Sequence, residues 1–282
     1  MRLVDFETIL VQSLQVCGLD RSNVTDETFY QFRDFANNRL RFAYEYDIWP
    51  ELVRTIKLAV THSNEVHSVV IPNDGIITND EGTFKVDIGT IMQVALEDPR
   101  TTGKVHELSF SIDEYEQLIS GNVFETVKRL IITDKDASYV YVTYRINCPE
   151  LVGNIWSAGT YYPGQQVYWA YQNNSYFAPT TGPSYAGKKG NFWKCITQTS
   201  ASPNVNNNSN PSAGDVWEKV KIPAFLSQYL IRACHADWLR SEMQIEMAQA
   251  IEREAMALLD FEVNKAIIQQ GVQPRLKFNQ TY

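Results

Sequence analysis

The chain has 282 residues, 44% of them hydrophobic, enough for one large domain or for a core domain with a smaller accessory one, so disorder is excluded as the default reading. Its 25 Lys and Arg face 33 Asp and Glu, giving a formal charge of -8 and a pI of about 5.1, which excludes a protein that grips nucleic acid through a basic footprint. About 18 consecutive apolar residues occur nowhere, so no membrane-spanning helix is expected. The opening MRLVDFETILVQSLQV, interrupted by Asp5, Glu7 and Gln12, lacks the apolar stretch of a signal peptide; synthesis in the cytoplasm is expected.

From Val4 to Val16 the apolar residues Phe6, Ile9, Leu10, Leu14 and Cys17 recur at three-and-four spacing, which predicts an amphipathic helix stopped by Gly18. Thr25 is the predicted N-cap of a second helix. Asp26 and Glu27 complement its positive end, and Phe29, Phe32, Ala36, Leu40 and Ala43 form its apolar stripe. That helix must end before Trp49-Pro50, because a residue preceding proline is pushed out of the helical region. Residues 1–50 are thus read as a helix pair.

Residues 51–153 read as β-rich. Ile56, Leu58 and Val60 alternate, Val66 to Ile71 makes a second run, further strands are predicted at Ile91–Leu96 and Val105–Phe110, and Phe124–Thr126 with Leu130–Ile132 carries one more. Ser111 to Leu118 suggests a short helix or turn. Tyr139 to Tyr144 is the strongest strand signal, ending near Cys148-Pro149. At about Gly153 the composition changes: residues 154–220 are rich in Trp, Tyr, Gly, Asn, Ser and Pro, which predicts an inserted module with a polar loop from Ser200 to Gly214.

Residues 221–270 open on Ile222-Pro223, and no helix breaker follows until Gly271, which predicts a helix of about 45 residues, near 70 Å long, with room for a kink. Ile231, Cys234, Trp238, Ser241, Ile245, Ala248, Glu252, Ala255 and Leu259 form one stripe on it. Met243, Met247, Ile251, Leu258 and Phe261 form a second beside the first. Either the first two helices fold back and cover this wide face, or part of it is left for other copies of the chain. Residues 271–282 are predicted to be an extended tail.

Catalytic and metal constellations are not recognisable. The chain has no G-x-S-x-G, P-loop or G-x-G-x-x-G, and Asp113, Glu114 and Glu116 read as a solvated face. Cys17, Cys148, Cys195 and Cys234 are far apart, as buried free thiols are. His62, His67, His106 and His235 show no zinc spacing, and the first two read as solvated loop residues. No catalytic residue, metal or cofactor is expected.

Two N-terminal helices closed by Tyr44-Glu45-Tyr46-Asp47-Ile48-Trp49-Pro50-Glu51-Leu52, a β-rich middle ending in Tyr139 to Arg145 before Pro149, and a long C-terminal helix together resemble the head-to-tail connector (adaptor) proteins of tailed bacteriophages. The resemblance covers residues 1–150 and 222–282 and lies in the order of elements. It implies an α+β fold whose helix pair and long C-terminal helix form a bundle, and a non-enzymatic virion protein of the neck or tail region. It also implies a homo-oligomeric ring, by family habit a dodecamer, bound to the portal protein and to tail or nozzle proteins. Genomic DNA would pass through the lumen without sequence recognition, and no membrane is involved. Tyr229, Trp238 and Ile245 on the helix and Pro274, Arg275, Phe278 and Tyr282 in the tail are the expected oligomer or portal contacts.

The segment from Ile155 to Trp169, with Tyr176, Trp193 to Ile196 and Asp215 to Val220, resembles the small β carbohydrate-binding modules of chitinases, although Gln165 replaces the usual Asp and residues 178–191 are longer. Trp156 and Trp217 are assigned to its interior. Tyr161, Tyr162, Trp169, Tyr171 and Tyr176 are the candidate contacts to glycan or to protein. The competing reading is therefore a host-recognition or glycan-binding tail component; a hydrolase carrying a binding module would need catalytic carboxylates that are not recognisable.

Overall fold

The computed structural model describes residues 2–20, 24–63, 66–71, 75–79, 82–101, 107–110, 122–126, 129–132, 137–156, 159–170, 190–199 and 216–269. They form an α+β fold in two compact units, residues 1–47 with 149–282 and residues 48–148. The chain opens with a short strand, β1 (Leu3–Asp5), and α1 follows at Phe6–Val16, two residues later than the periodicity predicts. Gly18 closes α1 at φ 71°, and Leu19 N–H bonds back to the Leu14 carbonyl at 2.9 Å, the left-handed stop that glycine supplies without a Cβ penalty. In α2 (Asp26–Tyr46) the Thr25 hydroxyl accepts from the Thr28 N–H at 3.2 Å, as the capping residues predict.

The unit of residues 48–148 contains a three-stranded antiparallel sheet, β2 (Val53–Ala59), β11 (Tyr139–Ile146) and β7 (Ile88–Ala95), with β11 in the centre. A five-stranded sheet runs in the order β3 (Thr61–Ser63), β4 (Val66–Val70), β10 (Arg129–Ile132), β9 (Asn122–Thr126) and β8 (Ser109–Phe110), and β5 (Gly75–Asn79) pairs with β6 (Gly82–Val86). Period-two alternation sends Ile56, Leu58, Val94, Val140 and Val142 from the first sheet into the same core as Val69, Leu130 and Ile132 from the second. The single strand expected around residues 124–132 is two antiparallel strands, β9 and β10. The helix or turn expected at Ser111–Leu118 lies outside the described residues.

In the other unit, β12 (Asn154–Ile155), β13 (Gln166–Ala170), β14 (Gly190–Cys195) and β15 (Trp217–Lys219) form a four-stranded sheet. One face carries its own aromatic core of Val167, Trp169, Trp193, Cys195 and Trp217. The other presents Tyr168 and Phe192 to the first two helices: Phe192 meets Phe6 edge-on at 5.2 Å, and Tyr168 meets Phe29 at 4.5 Å between ring centroids. The compositional change at Gly153 is thus no gap in packing. A Cβ at Gly153 would lie 2.7 Å from the Val167 backbone nitrogen, so the chain passes tightly against β13 there.

β16 (Lys221–Pro223) pairs antiparallel with β1, and a 3-10 turn at Ala224–Leu226 leads into α3 (Ser227–Ser241). The 45-residue helix expected from the sequence divides at residues 242–244. Its second part, α4 (Ile245–Gln269), is the long C-terminal helix and folds back against α3 as an antiparallel hairpin. Met243 makes the turn at φ 60°, and the N–H groups of Glu242, Met243 and Gln244 bond to the carbonyls of Trp238, Arg240 and Leu239. Neither glycine nor proline marks this break, because a left-handed residue that is 88% exposed needs no special side chain there, only tolerance of the strain.

Candidate functional site

The helical bundle is organised by α2, α3 and α4 around one guanidinium. Arg39 donates from Nε and Nη2 to the two carboxylate oxygens of Asp237 at 2.7 and 2.6 Å, and from Nη1 and Nη2 to those of Glu252 at 2.7 and 2.8 Å. Arg240 closes the network, reaching Asp237 at 2.7 Å and Glu252 at 2.9 Å. Two positive charges thus meet two negative ones, and the fork geometry of arginine makes each contact directional. The hydrogen bond to Asp237 is the main reason the Arg39 pKa is raised still further above its ordinary value. Burial alone raises Glu252, but the hydrogen bonds and charges of Arg39 and Arg240 outweigh it and leave Glu252 below the ordinary glutamate value.

Beside this network a cleft of about 550 Å³ opens between α2 and α3, lined by Phe35, Asn38, Arg39, Phe42, Asp237, Arg240 and Ser241. Phe32 and Trp238 stack behind it, with centroids 5.5 Å apart and planes 21° from parallel.

α4 has two unlike faces. Ala248, Ala255, Leu259 and Ala266 are buried, with Glu252 on the same seam at alternating three and four spacing. On the other side Met247, Phe261 and Ile268 are exposed, Phe261 by 64%, with half-buried Ile251 and Leu258 between them at the same helical spacing. This is an outward apolar ridge on a helix whose inner face is locked by ion pairs.

Among the described residues, those predicted as contacts do not form one surface. Tyr229 is 1% exposed and lies in the interior, where burial pushes its hydroxyl up to about 12 and the Arg39 charge only partly offsets that rise. It is no surface contact; the apolar seam of α3 simply includes it. Trp238 is half-buried against Phe32. Ile245, 51% exposed, is the first residue of α4 and stands beyond the turn rather than in mid-helix. Among the aromatics of the sheet, Trp169 is 7% exposed, and its ring meets Trp156 edge-on at 4.9 Å, so it serves as core rather than as a platform for a sugar. Tyr161 is half-buried with its ring on Trp217 at 5.3 Å, and Tyr162 is exposed. Tyr171, Tyr176, Pro274, Arg275, Phe278 and Tyr282 lie outside the described residues.

Sequence reasoning missed the pairing of Arg39 with Asp237 and Glu252. The available signal was Glu252 itself, a carboxylate on an otherwise apolar stripe, which calls for a cation on whatever packs there. Among the described residues no three His, Cys, Asp or Glu side chains come together as a metal site, and no helix is long and apolar enough to cross a membrane. The chain matches no protein-family model and no curated protein sequence.

Proposed function

We propose that this protein is a ring-forming structural subunit of a tailed-bacteriophage neck, an adaptor that joins portal to tail and leaves a central channel for the genome. The observation that carries the reading is the apolar ridge of α4, in which Met247, Phe261 and Ile268 are exposed and Ile251 and Leu258 half-buried, beside the seam that Arg39 and Arg240 hold through Glu252. An apolar ridge on an acidic chain, crossed at the same spacing by the exposed Glu254 and Lys265, favours protein contact, and laterally repeated contact between copies closes into a ring. The order of helix pair, β-rich middle and long C-terminal helix supports the same reading, and the net negative charge suits a channel through which DNA moves without adhering.

Mass measurement of the purified chain, alone and with portal, tests the proposal. An assembly many times the 32.3 kDa subunit is expected. The double substitution Met247→Lys with Phe261→Lys is expected to return monomer at an unchanged melting temperature. A wild-type chain that stays monomeric both alone and with portal overturns the reading.

A further inference from the structure

Two histidines that sequence reasoning leaves as solvated loop residues face one another across the β3–β4 ladder. His62 and His67 are directly opposed in register, between the pairs Thr61–Ser68 and Ser63–Val66. Their Nδ1 atoms are 2.7 Å apart, with ring centroids at 4.8 Å and planes inclined by 62°. The strand beneath is firmly placed. His67 pairs across to Ile132 of β10, and Ile132, Val69 and Leu130 on the same face are buried in the unit's core, so the ladder cannot slip without exposing them. His62 itself is exposed, and the pair is open to solvent from its side.

From this geometry we propose that His62 and His67 form a two-imidazole chelate for a divalent transition-metal ion of tetragonal preference, Cu²⁺ foremost. Two nitrogens each about 2.0 Å from one ion lie about 2.8 Å apart at a right angle and about 3.3 Å apart at the tetrahedral angle. The observed 2.7 Å is within about 0.1 Å of the first and well short of the second. Without the ion, one imidazole donates its Nδ1–H to the Nδ1 lone pair of the other. Binding requires only that the donor ring shift its proton from Nδ1 to Nε2 through water, so that both Nδ1 lone pairs turn to the metal with no net change in charge on the protein. Water fills the remaining coordination positions. The cross-strand register supplies preorganisation: once one imidazole has bound, the second is already within reach.

The test is titration of the full-length chain with Cu²⁺, followed by calorimetry and by electron paramagnetic resonance. One Cu²⁺ per chain with two equatorial nitrogens is expected, and Ni²⁺ is expected to bind more tightly than Zn²⁺. His62→Gln and His67→Gln should each weaken the Cu²⁺ site on the order of 100-fold and leave at most one nitrogen in its spectrum. Any Cu²⁺ retained by the double variant belongs elsewhere on the chain and is subtracted. The wild-type spectrum stands without any variant: fewer than two nitrogen ligands overturns the proposal, as do equal affinities in wild type and both single variants.

Discussion

Arg39 ties three helices through a single side chain, with Asp237 on α3 and Glu252 on α4 sharing four of its five N–H groups. Arg39→Met would leave two partly buried carboxylates with only Arg240 between them. Removing one partner of such a network costs about 3–5 kcal/mol, and urea denaturation is expected to show a loss of that order. The pH dependence carries a sign as well. Because Glu252 is depressed in the folded chain, its contribution is complete above the ordinary value of 4.5 and is lost as pH falls through the lower, folded value. The stability gap between wild type and Glu252→Gln should therefore be widest near neutrality and close below pH 4.5, in equilibrium unfolding measured at several pH values. A gap that persists unchanged into acid would mean that Glu252 acts by packing alone. Glu252 on its apolar stripe called for a cation, but which cation was not legible, since Arg39 and its partners are 198 and 213 residues apart and local spacing carries no information over such distances.

The turn between α3 and α4 makes a different kind of claim, one about backbone. Met243 holds a left-handed conformation with its side chain almost wholly in solvent, so its replacement by glycine removes strain and forfeits no packing. Met243→Gly is expected to stabilise the chain by about 0.5–1 kcal/mol, seen as a rise in melting temperature. A fall would show that the side chain contributes something its exposure conceals. The hairpin also marks where reading by element succeeds and fails. Thr25 with Asp26 and Glu27 announces α2, Gly18 announces the end of α1, and the unbroken Tyr139 to Tyr144 run becomes the central strand of its sheet. Each signal is local chemistry acting on local backbone. Ser241-Glu242-Met243-Gln244 carries no breaker, and what bends the chain there is the pull of α4's alanine seam back onto the bundle, a tertiary effect that overrides helix propensity.

At the scale of the whole molecule the aromatic sheet belongs to the helices it was expected to decorate. Removing residues 154–220 would strip Tyr168 and Phe192 from Phe6 and Phe29, so the deleted chain should lose much of its helical circular dichroism; full retention would show that the helices need no sheet. Among the described residues the core of 48–148, by contrast, is drawn from that unit itself, and as a separate polypeptide it should unfold cooperatively. Composition located the edge of the Trp- and Tyr-rich segment but not its packing, because an aromatic ring fits a private core and a shared one equally well. The ladder of β1 with β16 sets an order of events during translation. Residues 3–5 have no strand to join until residue 223 has been made, and Phe29 waits for Phe192 through 163 further residues. At 5–20 residues per second that wait is roughly 10–30 s, during which the β-rich unit between them can finish folding. The nascent helices spend that interval without the sheet that covers Phe6 and Phe29, and a prematurely terminated product would lack that cover and be open to proteolysis.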